Sequence, residues 1–293
     1  MPEQLSLVER FLNYLLEVRH LSSITFKLYE IDLTQFYSFL QGKTAEEVDS
    51  LILLADESTI ERYLANLQSL SYASGTINRR VAALRSFYKW LVLIKAVTRN
   101  PTLKLRFPKR PPRPVKMITA DQITELLAMP DNTIMLGARD LALLEIMIST
   151  CARVSELVEL DQDAVDLNSE TPCLYLKGKK ARVVTLGVGA HAALLRYLAF
   201  RSQMSTTSTF LFLNKHGRRL SSRSVRRKLD KYLAMAGIDP EINPYTLRHT
   251  CAQRLIGDGV DVGEVQKLLG HNQRATTHHA YAGFLNGVQP AVS

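Results

Sequence analysis

An arginine, a histidine and a tyrosine gather toward the C-terminus, at the ends of short helical patterns. Arg248 lies in Asn243-Pro244-Tyr245-Thr246-Leu247-Arg248-His249, His271 in Leu268-Leu269-Gly270-His271, and Tyr281 follows. Arg153 and Lys177 stand upstream. These are the parts needed to attack a phosphodiester with a phenol. A guanidinium presents a planar fork matched to two phosphate oxygens. A lysine on a tight turn can protonate a departing oxygen if nearby cations lower its pKa. A tyrosine can carry the covalent ester. Each residue alone has a plainer use: an Arg–Glu pair at Arg153, a solvated basic turn at Lys177, a packed terminal ring at Tyr281. The weight lies in the set.

Local patterns say how these residues are held. Arg153 falls at a helix junction in Ser149–Leu157, where apolar flanks can bury its stem and Glu156 can steady its neighbours. Asn243 is a good helix cap and Pro244 suits the first position, so Arg248 falls in the first two turns. There the backbone N–H groups and the helix dipole favour an anion. His249 points elsewhere on the helix and is expected to pack. Gly270 predicts a left-handed cap that aims His271 outward. Tyr281 lies near the end of the chain, in a segment suited to presenting or withholding a nucleophile.

The elements behind these residues are mostly helical. Before residue 105, apolar residues recur at helical spacing in four runs. These are Leu7–Leu16, a run after Ser22-Ser23 through Leu40, a run after Glu57-Ser58-Thr59 through Leu67, and Ile77–Leu91. No strand pattern intervenes, so residues 1–104 read as a helical bundle. Its last helix carries Arg79, Arg80 and Arg85, candidates for phosphate contact, and Phe87, Tyr88 and Trp90, read as core.

Residues 105–116 hold four prolines and five basic residues, among them Lys109 and Arg110. Proline excludes helix and central strand, so this is an extended basic linker suited to lie along nucleic acid. Residues 117–293 form the second domain, opened by a capped start at Thr119. Helices are expected over about 121–129 and 138–151. Leu174–Leu176 and Val183–Leu186 flank a basic turn as a hairpin, and Phe210–Leu213 reads as a third strand. The fold class is mainly α with a small antiparallel β-sheet.

The chain has 293 residues, enough for two domains. A formal charge of +9 points to a polyanion partner, nucleic acid first. Its three cysteines form no Cys-x-x-Cys, which argues against zinc or a disulfide framework and for reduced, partly buried thiols. No signal-peptide pattern and no apolar run of membrane-spanning length is seen, so a cytoplasmic, nucleoid-associated address is expected.

Taken together, the motifs resemble the tyrosine recombinase (phage integrase) family, of the simple two-domain, Xer-like type. Thr150–Leu157 is similar to the family's Thr-Gly-x-Arg-x-Ser-Glu-Leu, with Cys151 at the glycine. Lys177–Arg182 resembles its Lys-Gly-x-x-x-Arg hairpin, Tyr245–His249 its His-x-Leu-Arg-His, and Leu269–His271 its Leu-Gly-His. Thr76–Tyr88 resembles its core-binding domain, and Tyr281 matches its terminal tyrosine. The likeness runs in order along nearly the whole chain. It implies a SAM-like, helical N-terminal domain that binds DNA and a C-terminal tyrosine-recombinase catalytic domain.

The resemblance further implies roles. Tyr281 would attack a DNA phosphodiester to give a 3′-phosphotyrosyl intermediate, with Arg153 and Arg248 on the non-bridging oxygens. His271 would bond the same phosphate and Lys177 would protonate the 5′-oxygen. The ester conserves bond energy, so neither ATP, a metal nor another cofactor is required. The implied partner is double-stranded DNA carrying a specific site, bound by a tetramer of recombinases, alone or with a homologous partner recombinase. The biological task would be chromosome-dimer resolution or mobile-element integration or resolution. One departure bears on the chemistry: Tyr245 stands where the family has histidine, and a free phenol is a poor base at neutral pH. A non-catalytic site-specific DNA-binding protein or degenerate recombinase therefore stays open as an alternative. A type IB topoisomerase, which shares the chemistry, fits the helical N-terminal domain less well.

Overall fold

The computed structural model describes residues 5–21, 23–42, 44–105, 116–178 and 180–270. His271, Tyr281, Lys109 and Arg110 lie outside the described residues. The chain divides into two compact units, Met1–Arg113 and Pro114–Ser293.

The first unit is a bundle of five described helices: α1 Leu7–Glu17, α2 Ser23–Phe39, α3 Ala45–Leu54, α4 Glu57–Ser69 and α5 Ser74–Leu93. Polar caps fix the starts. Ser6 and Glu9 form a capping box on α1, and Thr44 and Asp56 accept from the first turns of α3 and α4. Hydrogen bonds from the Thr59 backbone and from the Thr59 and Ser58 hydroxyls hold the Asp56 carboxyl down at about 2. The four helical runs expected from the sequence are present, and α3 is an addition. It buries only Val48 and Ile52 and leaves Leu51, Leu53 and Leu54 exposed, so its Leu-Ile-Leu-Leu run carries no clear helical period. Phe87, Tyr88 and Trp90 are core, as expected; Phe87 and Trp90 pack on Phe11, and the Tyr88 hydroxyl donates to the Ile52 carbonyl at 3.1 Å.

The second unit is built on α7 Met135–Thr150, buried on almost all sides between α9 Val188–Arg201 and α11 Pro244–Gly257. α6 Ala120–Ala128 and the short α8 Val154–Val158 flank it, and α10 Ser222–Met235 and α12 Val262–Leu269 complete the helices. A three-stranded antiparallel sheet is ordered β1 Val165–Asp166, β2 Cys173–Leu176, β3 Arg182–Thr185. Leu174 pairs with Val184 and both face the core, while their neighbours Tyr175 and Val183 pair on the exposed side. That alternation fixes the register, because a one-residue slip would expose the buried face.

The hairpin is as expected, but its third strand is Val165–Asp166 and not Phe210–Leu213. The latter segment makes only isolated bridges, Asp161 to Phe210 and Leu213 to Arg219. Side chains hold its backbone instead. Arg201 donates to the Ser208, Phe210 and Leu211 carbonyls at 2.7–3.0 Å, and Arg139 to Leu213 at 2.7 Å. The Tyr197 hydroxyl donates to Leu211 and accepts from the Leu213 N–H. The segment read as linker is held at both ends. Leu105 is buried in the first core, and the Lys116 ammonium bonds Asp239 at 2.6 Å and Glu241 at 2.8 Å.

A cationic candidate active site

Two local devices aim the arginines. α7 ends at Cys151 in the left-handed region (φ 52°), and the reversed chain starts α8 with Arg153 as its cap residue. Asn243 caps α11 by accepting from the Tyr245 and Thr246 N–H groups, with Pro244 behind it, as the sequence predicts. This places Arg248 one turn into α11 at 5% exposure.

The two guanidinium groups meet. Arg153 Nη2 donates to the Leu269 carbonyl at 3.0 Å, and Arg248 Nη2 donates to the same oxygen. Arg248 Nη1 donates to the Cys151 carbonyl. Burial, and then the Arg153 charge, lower the Arg248 guanidinium to about 10, so it remains a cation at neutral pH. Leu269 ends α12, whose cap Gly270 is left-handed (φ 57°) as expected. The carbonyls at this end of the helix also accept from Arg182 Nε at Leu268 (2.6 Å) and from the Lys180 ammonium at Gly270. The negative end of a helix dipole is a natural anchor for such cations. A side chain at Gly270 would be strained by φ, and its Cβ would lie 3.2 Å from the Lys180 stem.

Glu156 ties the cluster together. Its carboxylate accepts from Arg153 Nη1 at 2.7 Å and from both terminal nitrogens of Arg182 at 2.8 and 2.9 Å. It also accepts from the Arg153 backbone N–H at 2.8 Å. Burial would raise its pKa, but Arg182 and Arg153 outweigh that and hold it at about 2.

A cavity of about 560 Å³ opens beside the pair, lined by Arg153, Arg248, Tyr245, Arg223, Arg226 and Ser222 among others. Arg223 and Arg226 come from the first turns of α10. They were missed from sequence, although the run Ser222-Arg223-Ser224-Val225-Arg226-Arg227-Lys228 carried the signal. Tyr245 is exposed at the cavity, its ring edge-on to His249 at 4.2 Å between centroids. His249 is buried, as its packing role required. Such a cavity suits an oxyanion with a polyanionic chain beyond it.

Three groups of cations expected to face DNA have partners within the protein in this structure. Lys177 follows β2 with its ammonium on Asp161 at 2.8 Å and Asp163 at 3.5 Å. The Asp161 hydrogen bond raises its pKa; it is not lowered by cations. Arg79 and Arg80 turn inward onto the buried Asp32. Arg80 is 5% exposed, its guanidinium 3.9 Å from the Tyr72 ring centre, and offers nothing to a phosphate. Arg85 spends its guanidinium on the Thr102 and Leu105 carbonyls, each at 3.2 Å, which fastens the chain after α5. A basic helix face was legible in the sequence; the carboxylate and carbonyls that claim it come from distant residues.

Comparison with known proteins identifies the family. The phage integrase family pattern matches residues 116–284, and the phage integrase N-terminal SAM-like domain matches residues 8–95. The chain belongs to the phage integrase family of tyrosine recombinases. It is 35% identical over 278 residues to the tyrosine recombinase XerC of Pelotomaculum thermopropionicum, covering 92% of this chain and 91% of that one. It is 30% identical over 275 residues to the tyrosine recombinase XerD of Staphylococcus epidermidis, covering 93% and 92%. Among solved structures, XerA recombinase aligns over 97% of this chain and 98% of its own at 26% identity, with a TM-score of 0.53. The Tn1549 transposon integrase in complex with circular intermediate DNA shares the fold, with a TM-score of 0.75 at 14% identity over 98% of this chain and 100% of its own. Among the described residues no helix is long and apolar enough to cross a membrane.

Proposed function

We propose that the protein is a site-specific recombinase that cuts and rejoins double-stranded DNA through a 3′-phosphotyrosyl bond on Tyr281. The observation that carries this reading is the meeting of Arg153 and Arg248 on one carbonyl oxygen at the wall of a cationic cavity. In the reaction the Tyr281 oxygen bonds to phosphorus as its phenolic proton passes to water, and the P–O5′ bond breaks. Arg153 and Arg248 hold the non-bridging oxygens as charge develops. His271 donates to the same phosphate. Lys177 leaves Asp161 for the bound phosphodiester and gives its proton to the 5′-oxygen, which departs as a hydroxyl. A 5′-hydroxyl from a partner strand then reverses the step and completes the exchange. Tyr245, exposed at the cavity, donates a hydrogen bond to a phosphate oxygen and takes no part as a base.

Exchange between two duplexes needs four protomers on paired sites, of this chain alone or with a homologous recombinase. The likeness to Xer recombinases supports chromosome-dimer resolution over element integration, at the nucleoid in the cytoplasm. We further read residues 1–104 as the core-binding domain, 105–116 as the linker with Lys109 and Arg110 along DNA, and 117–293 as the catalytic domain.

The test is a nicked suicide substrate drawn from DNA flanking the gene. A covalent protein–DNA adduct is expected from the wild type and from Tyr245→Phe, and none from Tyr281→Phe. An adduct lost only in Tyr245→Phe would move the nucleophile. Specific binding without any adduct would favour the non-catalytic alternative, for which the missing histidine at position 245 is the supporting observation.

A further inference from the structure

Cys151 and Cys251 lie directly behind the arginine pair. The chain distance between them is 100 residues, yet their sulfurs are 2.7 Å apart, inside ordinary non-bonded contact. Cys151 is fully buried and Cys251 is 3% exposed, in a small core of their own with Ala252, Val265 and Leu269. Cys151 ends α7, two residues before Arg153; Cys251 lies on α11, three residues after Arg248. The Cys151 carbonyl accepts from Arg248, and Leu269, which covers the thiols, accepts from both arginines. The site is also unusual in its backbone. Cys151 holds a left-handed conformation (φ 52°) that favours glycine and is strained for a side chain.

We propose that Cys151 and Cys251 form a reversible intramolecular disulfide, with a hydroperoxide as oxidant, that fastens α7 to α11 behind the two arginines. Cys251 is the thiol oxidised first. It accepts the Cys151 S–H, which lowers its pKa, and Arg254 and Arg248 add to that effect. Its thiolate takes one oxygen from the hydroperoxide to give a sulfenic acid, releasing water or alcohol. The Cys151 sulfur then attacks the Cys251 sulfur and expels hydroxide, which leaves as water. Two thiol hydrogens and two electrons are lost and the O–O bond is reduced, so the step balances. In a reducing compartment the pair rests as thiols, and the bond forms under oxidative load. Ala152 and Arg153, which follow Cys151 in the chain, and Arg248, one turn before Cys251, line the cavity described above, from which hydrogen peroxide would approach as the intervening side chains move.

The experiment treats the full chain with near-stoichiometric hydrogen peroxide and maps its peptides by mass spectrometry without reduction. A Cys151–Cys251 cross-link is expected, formed at a rate independent of protein concentration and reversed by dithiothreitol. Closing a loop of this length should raise the thermal midpoint of the second unit by roughly 10 °C. Cys173→Ser, which alters the remaining cysteine on β2, should behave like the wild type. Cys251→Ser should show neither cross-link nor shift. Cys151→Gly serves as a second variant, since glycine suits φ 52°, and it too should lack both. The proposal falls if the two cysteines stay free or go to sulfinic acid, if the cross-link contains Cys173, or if it forms with the midpoint unmoved.

Discussion

Glu156 holds two guanidinium groups at once, and its acidity follows from that. Its folded pKa of about 2 lies below the ordinary 4.5. A carboxyl depressed on folding contributes stability above its unfolded pKa and loses it as the pH falls through the folded one. Glu156→Gln should therefore lower the unfolding free energy by about 3 kcal/mol at neutral pH, because it leaves the largely covered Arg182 without its counter-charge. Between pH 4.5 and 2 the variant should also lose less stability than the wild type, measured by denaturant titration at stepped pH. An unchanged acid slope would mean that another carboxyl sets it. At this scale the sequence was informative where partners are close in the chain: Glu156 lies three residues from Arg153, and both were legible. It was uninformative where a partner arrives from afar. Asp161 meets Lys177 across 16 residues, and Asp32 meets Arg79 across 47. Nothing local to either cation announces a carboxylate.

The element that changes the picture of the site is α10. Its capped start, Ser221 accepting from the Ser224 N–H at 3.1 Å, presents Arg223 and Arg226 to the cavity beside Arg248. Each should release about one counterion on binding DNA. Arg223→Ala and Arg226→Ala are thus each expected to reduce the slope of log affinity against log salt by about 1. Fluorescence anisotropy across a salt series reads this directly; slopes equal to wild type would place the DNA elsewhere. Element by element, helices with a periodic apolar face and polar caps were readable, as was a hairpin with a period of two. α3 escaped because its apolar residues run together. Phe210–Leu213 has a β-rich run but enters no ladder, because Arg201, Tyr197 and Arg139 claim the carbonyls of Phe210, Leu211 and Leu213.

On the scale of the whole molecule, the described residues form separate hydrophobic cores, one around Phe87 and Phe11 in the first unit and, in the second, a large one around α7 and a small one around Cys151 and Cys251. Calorimetry should resolve two transitions. Phe87→Ala removes a fully buried ring and should destabilise the first unit by about 4 kcal/mol, leaving the upper or lower transition of the second in place. A single transition that moves as a whole would mean that the units melt together. The division into a helical unit and a mixed one was legible because composition changes abruptly at the proline-rich stretch. What lay beyond the sequence was the crowding of cations on the last turn of α12. Because Arg153, Arg248, Arg182 and Lys180 all rest on that one turn, they cannot be retuned singly. A slide or rotation of this short helix would release the whole set together, so competence for chemistry should come and go as an all-or-none property of how α12 is seated.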